Sequence, residues 1–176
     1  MRIALYLGSF NPFHNGHLEV VKSALRDFKM DKVVIVPSVQ NPWKKDKPLG
    51  VYNRIDIIEK SILTSAICYW HKIFIDSIEV SLIPPYYSYA TLHALKNKYC
   101  NDKVFVLCGE DTIEKIPEWM HGEQIIKDYD FLIVDRPRRG QYAISSTYIR
   151  ECVKLDKPIN GMVSNNVINL IKNYYK

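Results

Sequence analysis

Residues 3–17 read IALYLGSFNPFHNGH, an apolar run that passes into a turn and then into an amphipathic stretch. The apolar residues predict a buried β-strand, and Gly8 at its end lets the backbone approach a phosphate without a Cβ atom in the way. Gly16 permits a sharp turn into a helix whose first amides are free and carry a partial positive charge. Since His14 and His17 stand three residues apart at that helix start, both can face the same anion. The stretch predicts a strand, a phosphate-binding turn and a helix.

The histidine pair has two other interpretations, a metal site and two surface side chains. A metal site usually needs three or four ligands, and no third histidine or cysteine lies near His14 and His17 in the sequence. Two surface histidines directly behind a strand and a GSFNP turn would be a rare coincidence. Phosphate binding is therefore the preferred hypothesis, and we expect no metal held by protein side chains alone.

Short apolar runs alternate with amphipathic stretches along the rest of the chain, a pattern typical of a parallel sheet covered by helices. The predicted strands are residues 3–7, 33–36, 73–80, 104–108 and 131–134. The predicted helices are residues 16–28, 51–66, 89–99, 146–153 and 164–174, the last two each opened by a serine that can cap free amides. We predict an α/β fold with a doubly wound parallel sheet and a short C-terminal helical portion, in one domain of residues 1–176.

The composition excludes several classes of protein. The chain has 176 residues, 47% of them hydrophobic, which excludes global disorder. No apolar stretch approaches the about 20 residues of a membrane span, and the apolar start is too short for a secretion signal. The four cysteines show no CxxC spacing. We expect a reduced, cytoplasmic protein with buried cysteines and no membrane partner.

The charge balance bears on the partners. The net charge of +5 suits a partner that carries phosphate. A nucleic-acid-binding protein is an alternative, but no basic stripe is interleaved with aromatic residues, and the arginine cluster at residues 136–139 is short. We expect small-molecule partners and no nucleic acid, and a homo-oligomer stays open.

Polar residues follow the predicted strands at the edge where ligands bind in open parallel sheets. The four stretches are residues 8–17, the lysine-bearing loop 38–50, Gly109-Glu110-Asp111 and residues 136–139. Glycine, histidine, lysine and arginine would meet at one edge, which predicts a site for a polyanion.

A second motif stands about 130 residues after the first. Residues 144–150 read ISSTYIR, with hydroxyl side chains at a helix start and Arg150 one turn in. The hydroxyls can cap the helix or leave its amides to an anion, and the arginine can bind phosphate oxygens with two N–H groups. The alternative is an ordinary capped helix with a solvated arginine.

The two motifs together resemble those of the nicotinate/nicotinamide mononucleotide adenylyltransferases, in the nucleotidyltransferase superfamily. Residues 8–17 are similar to that family's GSF(D/N)P-x-x-x-GH turn, and residues 144–150 to its ISSTxIR. Between them, residues 86–92 resemble SYTxDTL and residues 107–111 resemble GxD. Trp119 and Arg136-Pro137 also fall where the family has a tryptophan and RPG. The resemblance covers essentially the whole chain in the right order.

The resemblance implies a Rossmann-like nucleotidyltransferase fold and a transfer of AMP from ATP to a pyridine mononucleotide, with Mg²⁺ bound mainly through the ATP phosphates. The nucleophile is a phosphate already ionised at pH 7, so no general base is needed and positioning must supply the catalysis. By resemblance, the catalytic residues are His14, His17 and Arg150. The ATP-binding residues are Gly8, Ser9, Phe10, Gly16, Gly109, Asp111, Arg136, Ser145, Ser146 and Thr147. The mononucleotide-binding residues are Lys44, Arg54, Tyr87, Ser88 and Trp119.

Several of these residues have ordinary structural alternatives. Asp111 could cap a helix, Arg54 could be a surface arginine, and Trp119 could belong to the core. Lys44 could be part of a solvated basic loop, or Lys45 could serve in its place.

Other activities also stay open. Ala90 stands where the family has aspartate and Ser88 where it has threonine, near the segment that reads the pyridine ring. The choice between nicotinate and nicotinamide is therefore open. The alternatives to the activity itself are another adenylyltransferase of the superfamily, such as the one acting on phosphopantetheine, and a nucleotide-sensing module without turnover.

Overall fold

The computed structural model describes residues 1–40, 47–64, 69–134 and 144–176. Lys44 and Arg136, two of the predicted site residues, lie outside the described residues. So do the last two residues of the predicted helix 51–66 and Cys68.

A parallel sheet of five strands forms the centre of the described residues. The strands are β1 (Arg2–Gly8), β2 (Lys32–Pro37), β3 (Ile73–Ile75), β4 (Lys103–Gly109) and β5 (Asp130–Val134). Their order across the sheet is β3-β2-β1-β4-β5. Leu5 of β1 pairs with Val34 on one side and Val106 on the other, so the strand that precedes the histidines is central. The chain winds outward from it in both directions, as the doubly wound prediction requires.

Seven α-helices accompany the sheet in the described residues. They are α1 (Asn15–Arg26), α2 (Val51–Thr64), α3 (Ser88–Lys98), α4 (Glu110–Ile113), α5 (Gly122–Asp128), α6 (Ser146–Lys154) and α7 (Ile168–Tyr175). Short 3₁₀ turns span Trp70–Lys72, Ile78–Ser81, Ile116–Glu118 and Asn165–Val167. The helices α4 and α5 were not predicted, because each is too short to show a full amphipathic repeat.

Alternate residues of the central strand enter two separate hydrophobic clusters. Ala4 and Tyr6 pack in one cluster with α1, α2, α6 and α7. Ile3 and Leu5 pack in the other with Leu92 and Leu95 of α3 and with α5. Burial on both faces explains the continuous apolar runs of the strands. It also confirms the α/β prediction of helices on both sides of the sheet.

Two predicted element bounds are wrong. The strand predicted over 73–80 ends at Ile75, because the Asp76 carboxylate accepts a hydrogen bond of 3.0 Å from the Ile78 amide and turns the chain into the 3₁₀ turn. The helix predicted from Ser164 starts as a 3₁₀ turn and becomes α-helical at Ile168.

One of the two predicted serine caps is displaced by one residue and the other is wrong. The second motif caps α6 as predicted, but through Ser145 and not through Ser146, since the Ser145 hydroxyl accepts a hydrogen bond of 3.1 Å from the Tyr148 amide. The Ser164 hydroxyl donates instead to the carbonyl of Ser61, at 3.4 Å.

Two further findings bear on the expected class of protein. Cys108 and Cys152 are buried as predicted, whereas Cys100 is exposed, so the prediction is wrong for that cysteine. In the described part of the chain, no helix combines the length and the apolar character needed to cross a membrane.

Candidate active site

The turn after β1 folds its aromatic side chain back over the strand end. Phe10 has a φ of 44° and is 3% exposed. A Cβ atom on Gly8 would come within 2.9 Å of the Phe10 ring, so a larger residue there would require this ring to shift. The contact with Phe10 is a reason for Gly8 besides the predicted approach to a phosphate.

The two histidines form one stacked unit at the start of α1. Their ring centroids are 3.7 Å apart with 25° between the planes, and His14 is 4% exposed. The backbone N–H of His14 donates to Nδ1 of His17 at 3.2 Å. Because Nδ1 accepts this bond, a neutral His17 carries its proton on Nε2. The stacking and this hydrogen bond together hold the His17 ring at the start of α1.

The predicted second motif lies directly against this turn. The Ser146 hydroxyl donates to the carbonyl of Pro12 at 2.9 Å, and Nη1 of Arg150 donates to the carbonyl of Asn11 at 2.7 Å. A guanidinium has five donors, so Arg150 keeps capacity for an anion. Ser145 and Thr147 are exposed at the same helix start. The structure thus brings together two motifs that stand about 130 residues apart.

The C-terminal part of the chain also holds this turn. The Tyr175 hydroxyl donates to Oδ1 of Asn11 at 2.6 Å, and the amide of Leu49 donates to the same oxygen at 3.2 Å. Burial raises the pKa of the Tyr175 phenol, which keeps the hydroxyl a donor, while the nearby Arg54 and Arg150 act in the opposite direction. Sequence reasoning missed Tyr175, since a tyrosine in a C-terminal helix carries no motif.

Arg54 is buried and not a surface arginine, so that alternative is wrong. It is 0% exposed, and burial lowers the pKa of its guanidinium. Nε donates to the carbonyl of Leu49 at 2.6 Å, and Nη1 donates to the carbonyl of Ser9. Nη2 donates to the carbonyls of Ser38 and Val39, at 2.6 and 3.3 Å. These contacts of Arg54 join the loops that follow β1 and β2.

A cavity of about 220 Å³ opens beside the ends of β1 and β2. Its lining combines the strand ends with the start of α3, α4 and the segment before α5. The lining residues are Leu7, Gly8, Ser9, Ser38, Glu79, Tyr86, Tyr87, Ser88, Thr112, Trp119 and Met120. The predicted residues Tyr87, Ser88 and Trp119 meet there, whereas Glu79 was not predicted. A buried carboxylate outside any motif gives no sequence signal.

Two features fix the segment that carries Trp119. The amide of Gly122 donates to the carbonyl of Trp119 at 2.9 Å. A Cβ atom on Gly122 would lie 1.8 Å from the carbonyl oxygen of Ile116, so only glycine fits there. His121 between them has a φ of 57°, a left-handed conformation. The half-buried Trp119 ring packs against the second core cluster and also lines the cavity.

Asp111, one of the predicted ATP-binding residues, lies on α4. Gly109 ends β4 and is the N-cap residue of α4, so the helix-cap alternative for Asp111 is wrong. Asp111 is exposed in the first turn of α4, outside the set of described residues that line the cavity. Gly16 is buried in the first turn of α1, beside the histidines.

Known proteins are similar to this chain in sequence and in fold. A family model described as cytidylyltransferase-like matches residues 5–152, from the middle of β1 to α6. The chain belongs to this family.

Two relatives show which kind of protein in this family the chain is similar to. A protein of Cytophaga hutchinsonii described as a probable nicotinate-nucleotide adenylyltransferase is 34% identical over 194 residues, covering 99% of this chain and 98% of the relative. The nicotinate-nucleotide adenylyltransferase of Bacillus subtilis is 26% identical, with 94% and 93% coverage. The resemblance to the mononucleotide adenylyltransferases is confirmed.

A solved structure in the family has the same fold. The nicotinic acid mononucleotide adenylyltransferase of Plasmodium falciparum, in a complex with NaAD, superposes with a TM-score of 0.81. The match covers 98% of this chain and 95% of the other at 20% identity. The Rossmann-like nucleotidyltransferase fold predicted from the motifs is therefore confirmed.

Proposed function

We propose that the protein joins the AMP part of ATP to a pyridine mononucleotide, with nicotinate preferred, and releases pyrophosphate in a step of NAD biosynthesis. The observation that carries this proposal is the contact between the turn after β1 and the start of α6 beside an aromatic-lined cavity. The names of the relatives support the substrate class.

The reaction is a displacement at phosphorus. A phosphate oxygen of the mononucleotide attacks the α-phosphorus of ATP, and the bond from that phosphorus to the bridging oxygen breaks. The electron pair of that bond leaves with pyrophosphate. Because the attacking phosphate is ionised at neutral pH, the protein needs to position and neutralise charge, not to remove a proton.

The stacked histidines supply hydrogen-bond donors to the ATP phosphates in this proposal. The bond from the His14 amide to Nδ1 holds the His17 ring, and we assign its Nε2–H as the donor to the ATP phosphates. Arg150 adds a charge from α6, with Ser145, Ser146 and Thr147 at the helix start. Gly109, Asp111 and Arg136 complete the predicted ATP side. A guanidinium and two imidazoles suit the negative charge that the transferred group carries.

The cavity takes the pyridine end. The Trp119 ring lines it, and an aromatic plane stacks on a pyridine ring. The backbone amides of the predicted residues Tyr87 and Ser88 are candidates to bind the ring substituent, but that of Tyr87 already donates to the carbonyl of Pro85 at 3.0 Å. The Ser88 amide, at the start of α3, is the remaining candidate. A helix start has partial positive charge, which favours the carboxylate of nicotinate over the amide of nicotinamide.

Lys44 and Arg54 have different parts in the proposal. Lys44 is proposed to meet the mononucleotide phosphate, as the resemblance implies. Arg54 supports that phosphate site indirectly, because the contacts of its guanidinium are with backbone carbonyls.

Mg²⁺ reaches the site as part of the substrate MgATP. Among the described residues, no group of three or more His, Cys, Asp and Glu side chains could hold a metal ion. In the proposal, Mg²⁺ is bound by phosphate and water oxygens, which it prefers, and neutralises the phosphate charge there. One domain over residues 1–176, a cytoplasmic location and the absence of nucleic-acid and membrane partners stay predictions.

The test is pyrophosphate release with ATP, Mg²⁺ and one acceptor at a time. We expect release with nicotinate mononucleotide and a slower release with the nicotinamide form. Activity on phosphopantetheine alone would replace the proposal with the other adenylyltransferase. Tight binding of ATP without release on any acceptor would favour a nucleotide sensor.

A further inference from the structure

Glu79 is a buried carboxylate in the wall of the cavity that no motif accounts for. It lies in the 3₁₀ turn Ile78–Ser81, is 3% exposed and lines the cavity with Ser38 and Tyr87. Burying a charged group is costly unless hydrogen bonds or an opposite charge compensate it. The hydrogen bonds of the Glu79 carboxylate therefore indicate its role.

Both carboxylate oxygens accept hydrogen bonds from parts of the chain on different sides of the cavity. Oε2 accepts from the backbone N–H of Val39, in the loop after β2. Oε1 accepts from the Thr91 hydroxyl at 2.8 Å, in the first turns of α3. Glu79 thus ties the loop that carries Ser38 to the helix whose start carries Ser88.

The connection continues through one residue, Val39, to the buried arginine Arg54. The Val39 N–H is held by Glu79, and the carbonyl of Val39 accepts from Arg54 at 3.3 Å. Arg54 also binds the carbonyls of Ser9 and Ser38, which both line the cavity. The Arg54 and Glu79 side chains therefore hold three segments that line the cavity: the turn after β1, the loop after β2 and the start of α3.

On the other side, the contacts of Glu79 extend through Thr91 to Tyr87, near which the pyridine ring is predicted to bind. Both the amide and the hydroxyl of Thr91 lie within hydrogen-bond distance of the carbonyl of Tyr87, at 3.2 and 3.4 Å. A shift of Thr91 would therefore move the start of α3, which lines the cavity together with Trp119.

We propose that Glu79 is a positioning residue of the mononucleotide pocket, which holds the loop after β2 against the start of α3 at the width that the pyridine nucleotide needs. Each of its oxygens accepts a hydrogen bond from the protein, and we assign it this positioning role and no contact with the reacting atoms. The two bonds of Glu79 are with the loop after β2 and with α3, whereas the ATP side is built from the turn after β1 and from α6. The inference rests on the proposed function, because it assigns this wall to the mononucleotide.

The experiment compares Glu79→Ala, Glu79→Gln, Thr91→Val and the double variant Glu79→Ala/Thr91→Val in steady-state kinetics with ATP and nicotinate mononucleotide. We expect Glu79→Ala to raise the KM for the mononucleotide at least tenfold, with the KM for ATP and kcat within about twofold of the wild type. Glu79→Gln keeps an acceptor for Val39 and an amide that can bond to the Thr91 hydroxyl, so it recovers most of the loss.

Thr91→Val removes one of the two anchors at constant shape, and we expect a threefold to tenfold rise in the same KM. The double variant behaves like Glu79→Ala alone, because the two side chains act through one bond. Glu59→Ala, on an exposed part of α2, is the matched control and leaves both KM values unchanged.

Calorimetric titration separates failure of this inference from failure of the proposed function. It gives the Kd of nicotinate mononucleotide and of a non-hydrolysable ATP analogue for each folded variant, without turnover. Equal weakening of both ligands in Glu79→Ala and Thr91→Val would overturn the positioning role, and so would an unchanged mononucleotide Kd. If Glu79→Ala does not fold, Thr91→Val and Glu79→Gln decide by the same criteria. A wild type that binds neither ligand contradicts the proposed function instead.

Discussion

The Tyr175 hydroxyl donates to Oδ1 of Asn11 at 2.6 Å, although 164 residues separate the two. The carbonyl of the same asparagine accepts from Arg150 at 2.7 Å. One residue of the turn after β1 is therefore held by the last helix and by α6 together. The turn that carries the histidines depends on contacts from the end of the chain for its shape.

Tyr175→Phe tests this dependence. Removing the hydroxyl takes one hydrogen bond from Asn11, while the Leu49 amide still donates to its Oδ1. We expect the free energy of unfolding to fall by about 1 kcal/mol and kcat to fall severalfold. Urea unfolding and steady-state kinetics measure the two effects. Tyr174→Phe is the neighbouring control, and an equal loss of kcat in both variants would contradict the account.

Gly122→Ala tests the packing beneath Trp119. The added Cβ atom would lie 1.8 Å from the carbonyl oxygen of Ile116, so the backbone of this segment has to move. We expect a loss of stability of about 1–3 kcal/mol and a raised KM for the mononucleotide. Thermal unfolding and kinetics measure these effects.

Gly50→Ala is the control for that substitution. Its added Cβ atom would lie 3.9 Å from the Asn53 side chain, an ordinary contact. The packing explanation is wrong if the two glycine variants unfold at the same temperature.

Arg54→Lys tests the clamp between the loops after β1 and β2. A lysine has a single nitrogen, so it cannot reach the carbonyls of Leu49, Ser9 and Ser38 together. We expect a loss of about 2–4 kcal/mol in the free energy of unfolding. Arg26→Lys, on an exposed part of α1, serves as the control. Equal stability of the two variants in urea unfolding would argue against the clamp.

The pKa of Glu79 predicts a particular pH dependence of stability. Burial raises this pKa above its ordinary value of about 4.5, although the bonds from Thr91 and Val39 and the charge of Arg54 act against the rise. The folded state then binds more protons than the unfolded state between the two pKa values. The contribution of this group to stability is therefore fully present below the unfolded pKa and is lost as the pH rises through the folded pKa.

Glu79→Gln lacks this titration. In urea unfolding from about pH 4 to pH 8, we expect the stability of the variant to gain on that of the wild type as the pH rises through the folded pKa. Parallel curves over the whole range would show that Glu79 has the same pKa in the folded and unfolded states.

The parts of the molecule that could be predicted are those encoded by neighbouring residues. The strand, glycine and histidine pattern of residues 3–17 gave β1, the turn and α1, and the ISSTYIR motif gave α6. The strand predicted over 73–80 was too long, because Asp76 turns the chain by a local hydrogen bond that propensity does not register.

The remaining features depend on contacts between distant residues. Arg54 binds carbonyls 5 to 45 residues away, and Glu79 binds an amide 40 residues away. An isolated arginine or glutamate on an amphipathic stretch is normally exposed, so composition argues against burial at both positions. Only the folded chain shows that the two side chains bind segments that line one cavity.

The central claim is that His17 presents Nε2–H to the ATP phosphates, and Asn and Gln variants test it most directly. Asparagine can accept from the His14 amide as Nδ1 does, but it has no atom at the Nε2 position. Glutamine can place an N–H near that position.

The decisive measurement is kcat for pyrophosphate release from ATP and nicotinate mononucleotide, with the unfolding temperature as the check on folding. We predict that His17→Asn keeps the wild-type unfolding temperature and loses kcat by about 10²–10³-fold, while His17→Gln recovers part of the loss. A folded His17→Asn variant that turns over at the wild-type rate would contradict the account.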